Sequence, residues 1–474
     1  MEASKPRVSS ATGESFDSGS TVSRRVIRGG VFATGSKVAG IGAALVANVL
    51  LARFITKDEF GMFLLLVTIV NFGAVIGRAG LDRALVIYIS KNIADGQGSA
   101  AREVFRKGLR VSEFASLAIA TVIFGLLFLW GGILFSISSS VSLTAAVAIG
   151  VLLMARLNVL ADSLCGYHDQ LFRSLFESQS GGLLMNVVFV LMLIPCYWFG
   201  ALSISVVMWL FAASIGALLP FAALRLQNVA SGHQDFAMLK ESASTDVSYS
   251  AMLALCLPLM LSQLLIFAST RTDIWIAGAF CSHGELAMFG AARRLTFLIS
   301  MPLVVANLAV ISSIPELYSQ KRIVELQRIL RISGTITAIP VILALLAVVL
   351  FPGRILSMVY GSSYSEGALI LVILCFGQLV STLTGSCGAC LLMTGHHRAM
   401  ITSSLVALAF LFGAGIPAAT HYGAVGLAVA CAITMAGKNL WWLIAARMKV
   451  GVWTQVTIPR TIPLGGSLKM LLRR

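Results

Sequence analysis

The sequence has 474 residues, of which 58% are hydrophobic and only 12% are charged, and its mean hydropathy is +0.90. A soluble domain carries about 25% charged residues, so this composition excludes a water-soluble globular protein. The net charge of +15 would indicate nucleic-acid binding in a soluble chain, but here Lys and Arg lie mainly between apolar runs, which is typical of a membrane protein.

The first thirty residues are polar, rich in Ser, Thr and Gly, and contain no apolar run. We predict a disordered cytoplasmic tail over 1–30. The apolar run that follows continues to Ile55, which is long for a cleaved signal. We therefore interpret Arg24, Arg25 and Arg28 as holding the start of a retained first helix in the cytoplasm.

Twelve apolar runs follow, each long enough to cross a bilayer with some tilt. They lie at 31–52, 60–77, 111–134, 141–165, 179–199, 201–223, 248–270, 288–314, 332–352, 366–393, 400–418 and 423–446. The pattern predicts an all-α polytopic membrane protein of about twelve transmembrane helices. We divide it into an N-terminal six-helix bundle at 31–223, a cytoplasmic linker at 224–247, a C-terminal six-helix bundle at 248–446 and a basic cytoplasmic tail at 447–474. Transporter folds often pair two such bundles around a central cavity.

The connecting segments predict the orientation. With the N-terminus inside, 26 of the 35 Lys and Arg residues fall in cytoplasmic segments and six fall outside. Because positive residues favour the cytoplasmic side, both termini are expected there. Segments 78–110 and 315–331 each carry an apolar helical stripe, which predicts short amphipathic helices at that interface or connectors held to lipid headgroups.

Charges inside or beside apolar spans are costly and therefore mark candidate sites. Arg53 ends the first span, and Arg156 and Lys438 lie inside the fourth and the twelfth. The candidates for a site are Lys37 in the first span, Arg271 and Asp273 closing the seventh, and Arg293 and Arg294 opening the eighth. A cavity lined by such cations suits phosphate, because the guanidinium fork binds two phosphate oxygens together. Lys37 could instead extend to the interface, and Arg271 could simply pair with Asp273. Arg293 and Arg294 are the strongest candidates, since two adjacent cations on the outer side oppose the charge bias of the rest of the chain.

Signatures of enzymes are missing from the sequence. Gly30 to Lys37 has two glycines at the spacing of a phosphate-binding loop, but Ser36 precedes Lys37, which reverses the required order. Cys387 and Cys390 form one C-x-x-C inside an apolar run, without a second pair at zinc spacing. We predict no catalytic residues, no metal and no cofactor.

Short motifs along the chain carry a family resemblance. The fullest is Arg271-Thr-Asp273-Ile-Trp-Ile-Ala-Gly278-Ala-Phe280, followed by Glu285-Leu-Ala-Met-Phe289-Gly290-Ala-Ala292-Arg293-Arg294-Leu295, Pro302 and Ile314-Pro315-Glu316-Leu317. Others are Leu51-Ala52-Arg53-Phe54, Glu59-Phe60-Gly61, Gly80-Leu81-Asp82-Arg83-Ala84-Leu85, Leu356 to Tyr364, Leu391 to Gly395 and Tyr422 to Ala428. These motifs extend over about 24–450. Because of their order along the chain, the sequence resembles the polysaccharide biosynthesis branch of the multidrug/oligosaccharidyl-lipid/polysaccharide (MOP) flippase superfamily. Its Phe289-Gly290-Ala-Ala292-Arg293 departs from the family's Gly-Tyr-x-x-Ala-x-Arg-like order.

The resemblance implies a Wzx-type flippase of the bacterial inner membrane, with two bundles around a V-shaped cavity. The expected substrate is undecaprenyl-pyrophosphate-linked oligosaccharide for exopolysaccharide, capsule or O-antigen of lipopolysaccharide, moved by alternating access. Lys37, Arg271, Arg293 and Arg294 are expected to neutralise the pyrophosphate, and Asp273 to pair with one of them. Expected partners are membrane lipids and possible polymerase and chain-length proteins, and no nucleic acid.

Two other functions stay open from the sequence. A drug or cation antiporter of the multidrug and toxin extrusion type needs buried carboxylates for proton or sodium exchange. The predicted span interiors contain almost none, and the nearest is Asp162 in the fourth span. A non-transporting scaffold of a polysaccharide assembly complex would differ in tolerating neutralisation of the cavity cations.

Overall fold

The structure is a computed structural model that describes residues 17–136, 140–177, 182–200, 202–232, 249–311 and 313–457. This part of the chain is almost entirely helical and contains no strand. Its helices are α1 (Asp17–Phe54), α2 (Lys57–Gly77), α3 (Leu81–Ala94), α4 (Gly98–Phe135), α5 (Val141–Gly166), α6 (Gln170–Phe176), α7 (Leu183–Trp198), α8 (Ile204–Gly232), α9 (Tyr249–Phe280), α10 (His283–Ile299), α11 (Met301–Val310), α12 (Ser313–Ser319), α13 (Ile323–Leu350), α14 (Pro352–Tyr360), α15 (Ala368–Thr384), α16 (Cys387–Met393), α17 (His397–Phe410) and α18 (Ile416–Val450).

Nine described segments are long and apolar enough to cross a membrane. One of them, His397–Val450, is broken at Gly423, where φ is 59° and ψ is −149°, so it holds two crossings. α10 and the first residues of α11, bent by 46°, make one more, and the shorter apolar helix α7 makes the twelfth. The prediction of an all-α polytopic membrane protein with about twelve crossings is confirmed.

Several helices extend beyond the predicted spans into polar sequence. α1 begins at Asp17, within the tail predicted over 1–30, and α8 runs to Gly232, within the linker predicted over 224–247. Hydropathy detects only the part of a helix that meets lipid, so these extensions carry no apolar signal. Residues 1–16, 233–248 and 458–474 lie outside the described part of the chain.

The connection between the seventh and eighth crossings is shorter than the sequence predicts. α9 was predicted to end at 270 but continues to Phe280, and α10 begins at His283 instead of 288. Arg271 and Asp273 therefore do not close a helix, and Arg293 and Arg294 do not open one. The predicted boundaries were wrong because charged residues ended the apolar runs, although the helix itself continues through them.

α2 and α10 begin with the same capping device. The Thr56 hydroxyl accepts a hydrogen bond from the Glu59 backbone N–H while the Glu59 carboxylate accepts one from the Thr56 N–H, and Ser282 and Glu285 repeat this arrangement. Three further identities share the same spacing of 226 residues: Phe54 with Phe280, Met62 with Met288, and Phe63 with Phe289. The two halves thus share a short repeat where their first two crossings meet.

The alternating crossings define two sides of the molecule. We call the side that carries α3, α6, α12 and residues 451–457 the basic side, and the side that carries the α1–α2 and α9–α10 connections the opposite side. At the opposite side the halves are joined by an ion pair of 2.8 Å between Lys57 Nζ and Glu366 Oε2. Arg53 Nε donates to the Val359 carbonyl at 3.0 Å, and Phe60 packs on Tyr360.

A second junction between the halves lies at the basic side. The Gln263 side-chain amide of α9 donates to Asp82 Oδ2 of α3 at 2.6 Å. Beside it, Gly80 has φ of +78°, and a Cβ there would lie 2.2 Å from the Cys256 carbonyl oxygen. The halves therefore touch at both ends of α2.

The two predicted amphipathic segments are helical, but they pack on protein. Leu81, Leu85 and Ile89 of α3 are completely buried, and α3 packs on α4 and α5. In 315–331 the chain forms α12 and then the first turns of α13, whose Leu326 and Leu330 are buried in a cluster at the basic side. Neither apolar stripe is left to face lipid.

Residues 451–457 pack back onto the C-terminal half. The Trp453 N–H donates to Gln327 Oε1 at 2.8 Å, and the fully buried Thr454 donates its hydroxyl to the Thr384 carbonyl at 2.8 Å. This segment therefore ties α13 to the end of α15.

Replacement of Gly385 by Ala is expected to weaken this junction. Gly385 has φ of +70°, and a Cβ there would lie 2.2 Å from the Thr454 carbonyl oxygen. The strained backbone alone costs about 1–3 kcal/mol, so Gly385→Ala should lower the Tm of the purified protein by several degrees. Gly437→Ala in α18 is the matched control, because its Cβ meets open space. Equal Tm values for the two variants would contradict the expected tie.

Candidate functional site

A cavity of about 620 Å³ lies between the two halves. The N-terminal half contributes α1, α2, α5, α7 and α8, and the C-terminal half contributes α9 and α10. Its polar lining consists of Asn48, Thr68, Asn71, Asn186, Thr270, Arg271, Arg293 and Arg294. Within the described residues no carboxylate lines it. The cavity is therefore neutral on one wall and cationic on the other.

A second cavity, of about 440 Å³, lies within the N-terminal half between α4, α5 and α8. It is lined by Arg102 and Arg156 among mostly apolar side chains, and Arg156 pairs with Glu113 at 3.3 Å. Because this cavity does not reach the junction of the halves, we take the cavity between them as the candidate site.

Helix geometry explains why the arginines share one wall. Arg271 lies nine residues before the end of α9, and Arg293 lies ten residues after the start of α10. With about 1.5 Å of rise per residue, both reach a depth of about 15 Å from the short α9–α10 connection. Two antiparallel helices thus bring cations that are 22 residues apart in sequence to the same depth of the membrane.

Arg293 is held by Asp273. Its Nε lies 2.7 Å from Asp273 Oδ2, and a terminal nitrogen donates to the Thr270 carbonyl at 2.7 Å. The Asp273 side chain is only 8% exposed, whereas that of Arg293 is 33% exposed. Asp273 is thus a buried anchor that holds a partly exposed guanidinium at the cavity wall.

Arg271 and Arg294 differ from Arg293 in having no hydrogen-bond or ion-pair partner among the described side chains. Arg271 is exposed to the cavity and lies within electrostatic range of both other arginines. Arg294 lies near the buried Tyr360, whose hydroxyl has no partner. Burial raises the pKa of Tyr360 to about 12, against the lowering effect of the Arg294 charge, so the phenol stays a neutral donor.

The charge balance at this wall is net positive. Three guanidinium groups line the wall and one carboxylate, that of Asp273, pairs with them, which leaves two positive charges at the wall itself. Lys438 of α18 does not line the cavity but lies within electrostatic range of Arg293. Like charges this close repel one another in a membrane interior, where screening is weak. An anion with two negative charges is the ligand that would neutralise them.

Lys37 is not brought together with these arginines. Its ammonium group lies 3.8 Å from Glu177, and the neighbouring Ser36 bonds to Ser174 in α6. Lys37 is therefore tied within its own half toward the basic side, and it does not line the cavity.

The neutral wall carries three asparagines that were not among the residues predicted from the sequence. Asn48, Asn71 and Asn186 lie in α1, α2 and α7 and line the cavity. An amide inside an apolar span is also costly when left unpaired, so these residues carried a signal in the sequence. The sequence prediction did not include these asparagines because it was based on ionisable side chains alone.

Buried carboxylates elsewhere are paired with arginine. Arg78 lies 3.8 Å from both Asp82 and Asp162, and Arg173 lies 3.1 Å from Asp162. Within the described residues no group of three His, Cys, Asp or Glu side chains could hold a metal ion. All eight cysteines are free thiols.

The sequence also matches a known protein family. The sequence model of the family described as "Polysaccharide biosynthesis protein" matches residues 26–317. No curated protein matches the chain significantly.

Solved structures similar to this chain are transporters of the MOP superfamily. One is an inward-facing multidrug resistance MATE family transporter, with TM-score 0.64 and 15% identity over 89% of this chain and 98% of that one. Another is the lipid II flippase MurJ in an inward closed conformation, with TM-score 0.63 and 14% identity over 94% and 90%. A third is a mutant of the Vibrio cholerae MATE transporter VcmN, with TM-score 0.58 and 17% identity over 91% of this chain and 98% of that one. At these identities the likeness concerns the fold, and it agrees with two six-helix bundles around a central cavity.

Proposed function

The chain belongs to the polysaccharide biosynthesis protein family, and from this premise we propose that it is a flippase for lipid-linked oligosaccharide. The proposed substrate is a glycan on a polyprenyl pyrophosphate such as undecaprenyl pyrophosphate, destined for exopolysaccharide, capsule or O-antigen of lipopolysaccharide. The proposed action is movement of the glycan headgroup across the bacterial inner membrane by alternating access, without a chemical reaction.

The observation that carries the proposal is the pair of partnerless guanidinium groups, Arg271 and Arg294, in a cavity between the halves. A cation without a partner inside a membrane-spanning segment is costly, so such groups persist where a ligand supplies the anion. The two positive charges left beside Asp273 match the charge of a pyrophosphate diester. The guanidinium fork suits its oxygens, because it donates two parallel hydrogen bonds.

The position of the cations supports transport across the membrane rather than binding at its surface. They lie about 15 Å from the α9–α10 connection, near the middle of the membrane, where a headgroup must pass. The two junctions between the halves, Lys57 with Glu366 and Asp82 with Gln263, lie at opposite ends of the cavity. In the proposed cycle these junctions open in turn, so that the headgroup enters from one side and leaves at the other.

We propose that the basic side faces the cytoplasm, which places both termini there. With the helices as the structure defines them, the cations at the opposite side are Arg53, Lys57 and Arg354 among the described residues. Since Arg271, Arg293 and Arg294 belong to helix interiors, the bias of positive charge toward the basic side is stronger than the sequence count suggested. Membrane lipids are the expected surroundings, and polymerase and chain-length proteins are proposed partners.

An antiporter for cationic drugs is the main alternative, and the charges argue against it. Such a transporter needs buried carboxylates that exchange protons or sodium. The described residues bury three aspartates, Asp82, Asp162 and Asp273, and each is paired with arginine. A cationic wall would also repel a cationic drug.

The proposal is tested by leaflet-resolved detection of lipid-linked oligosaccharide in cells that lack the protein and in cells that regain it. We expect the lipid to accumulate on the cytoplasmic leaflet in its absence and to reach the outer leaflet when the intact chain returns. The same leaflet distribution in both strains would overturn the flippase and leave the antiporter or a non-transporting scaffold.

A further inference from the structure

Three asparagines on the neutral wall share one hydrogen-bonding arrangement. The side-chain NH₂ of Asn48 donates to the Ala44 carbonyl, that of Asn71 to Val67 and that of Asn186 to Gly182, over 2.5–2.8 Å. Each bond runs back four residues to a carbonyl of its own helix. All three residues line the cavity between the halves, opposite the arginines.

This arrangement fixes the orientation of each amide. A helix carbonyl can only accept a hydrogen bond, so the NH₂ group must be the end that turns back toward it. The amide oxygen and the second N–H of the NH₂ group remain available to a ligand, and the oxygen accepts hydrogen bonds without carrying a charge. The Asn48 oxygen is buried and has no partner, and no described residue donates to the oxygens of Asn71 or Asn186.

From these contacts, and resting on the proposed function, we infer that Asn48, Asn71 and Asn186 form a subsite for an uncharged sugar next to the pyrophosphate. Sugar hydroxyls and the N–H of an acetamido group are donors, so they suit a row of neutral acceptors. The pyrophosphate has only acceptors and is held by the arginine wall. The headgroup would thus bind across the cavity, with phosphate on the C-terminal half and sugar on the N-terminal half.

The internal repeat supports the binding of phosphate by the C-terminal half and of sugar by the N-terminal half. At the spacing of 226 residues set by the two capping motifs, Thr68 of α2 corresponds to Arg294 of α10, and Asn71 corresponds to Phe297. Equivalent helices therefore carry neutral hydrogen-bonding groups in one half and a cation in the other. A ligand that is charged at one end and hydroxyl-rich at the other matches this difference.

The test compares two probes, a polyprenyl pyrophosphate and the same lipid carrying one N-acetylglucosamine, on the purified full-length protein in nanodiscs. We expect the sugar-bearing probe to bind about tenfold or more tightly, a difference that a few neutral hydrogen bonds can supply. The Asn71→Leu, Asn186→Leu double variant should lose this preference and keep its affinity for the sugar-free probe. If the double variant still binds the sugar-free probe, this binding also shows that the variant is folded.

Asn439→Leu is the matched control, because Asn439 makes the same backward bond, to Met435 at 2.8 Å, in α18 but does not line the cavity. It should keep the sugar preference. If the intact protein binds both probes equally, or if the double variant keeps the preference, the proposed sugar subsite is wrong. Neither result contradicts the proposed flippase function. If neither probe binds the intact protein, the pyrophosphate site of the proposed function fails first.

Discussion

The Arg271→Ala, Arg294→Ala double variant is expected to lose nearly all export while accumulating in the membrane like the intact protein. Each guanidinium contributes charge-assisted hydrogen bonds worth about 1.5–3 kcal/mol apiece, so removal of both should weaken pyrophosphate binding by more than about a hundredfold. Neither residue has a described partner, so their loss leaves no buried charge uncompensated. The measurement is export in the leaflet assay, together with the membrane level of the protein.

Arg398→Ala is the control for this experiment. Arg398 is an exposed cation near the start of α17 at the basic side and does not line the cavity. Its loss removes one positive charge from a position outside the cavity and should leave export unchanged. Export by the double variant at the level of the intact protein would show that the cationic wall is not the binding site.

Arg293 is a poorer choice for such a test, although the sequence made it one of the two strongest candidates. Its partner Asp273 is almost fully buried, and loss of Arg293 would leave that carboxylate without a countercharge. Breaking a buried pair in this way costs about 3–5 kcal/mol. Loss of export in Arg293→Ala would then report folding as much as binding.

The fold was largely predictable because its main signal is composition. Twelve apolar runs stand out whatever their packing, and their order gave two groups of six. Helix ends were not predictable in the same way, since a polar helical extension such as residues 98–110 of α4 has no apolar signal. The short motifs that carried the family resemblance succeeded because their order along the chain is more specific than any one of them.

The site was predictable only in part. Charge within apolar sequence identified Arg271, Arg293 and Arg294, and a cavity contains all three. The same criterion selected Lys37, which pairs with Glu177, since sequence does not reveal which face of a helix meets a partner. To predict that Arg293 pairs with Asp273, one must know that α9 and α10 bring the two residues to the same depth. The residue pattern of a single helix does not contain this information.

The Gly61→Leu variant is expected to hold the halves apart at the opposite side and so to stop the transport cycle. A Cβ at Gly61 would lie 2.0 Å from the His283 carbonyl oxygen and 3.2 Å from the Ala287 nitrogen. Both are backbone atoms at the start of α10, which cannot move aside as a flexible side chain could. Overpacking of this kind costs about 1–3 kcal/mol or more, which shifts the balance between the two states at least about fivefold.

The readout is a cross-link at the junction itself. Lys57 and Glu366 are 2.8 Å apart in the closed junction, so a zero-length carbodiimide should join them as an amide that peptide mass spectrometry detects. Gly61→Leu should lose both the cross-link and export, whereas Gly125→Leu, whose Cβ meets open space in α4, should keep both. Since leucine favours the helix more than glycine does, α2 itself should persist. A Gly61→Leu protein that exports normally and still forms the cross-link would show that closure of α2 on α10 is not a step of the cycle.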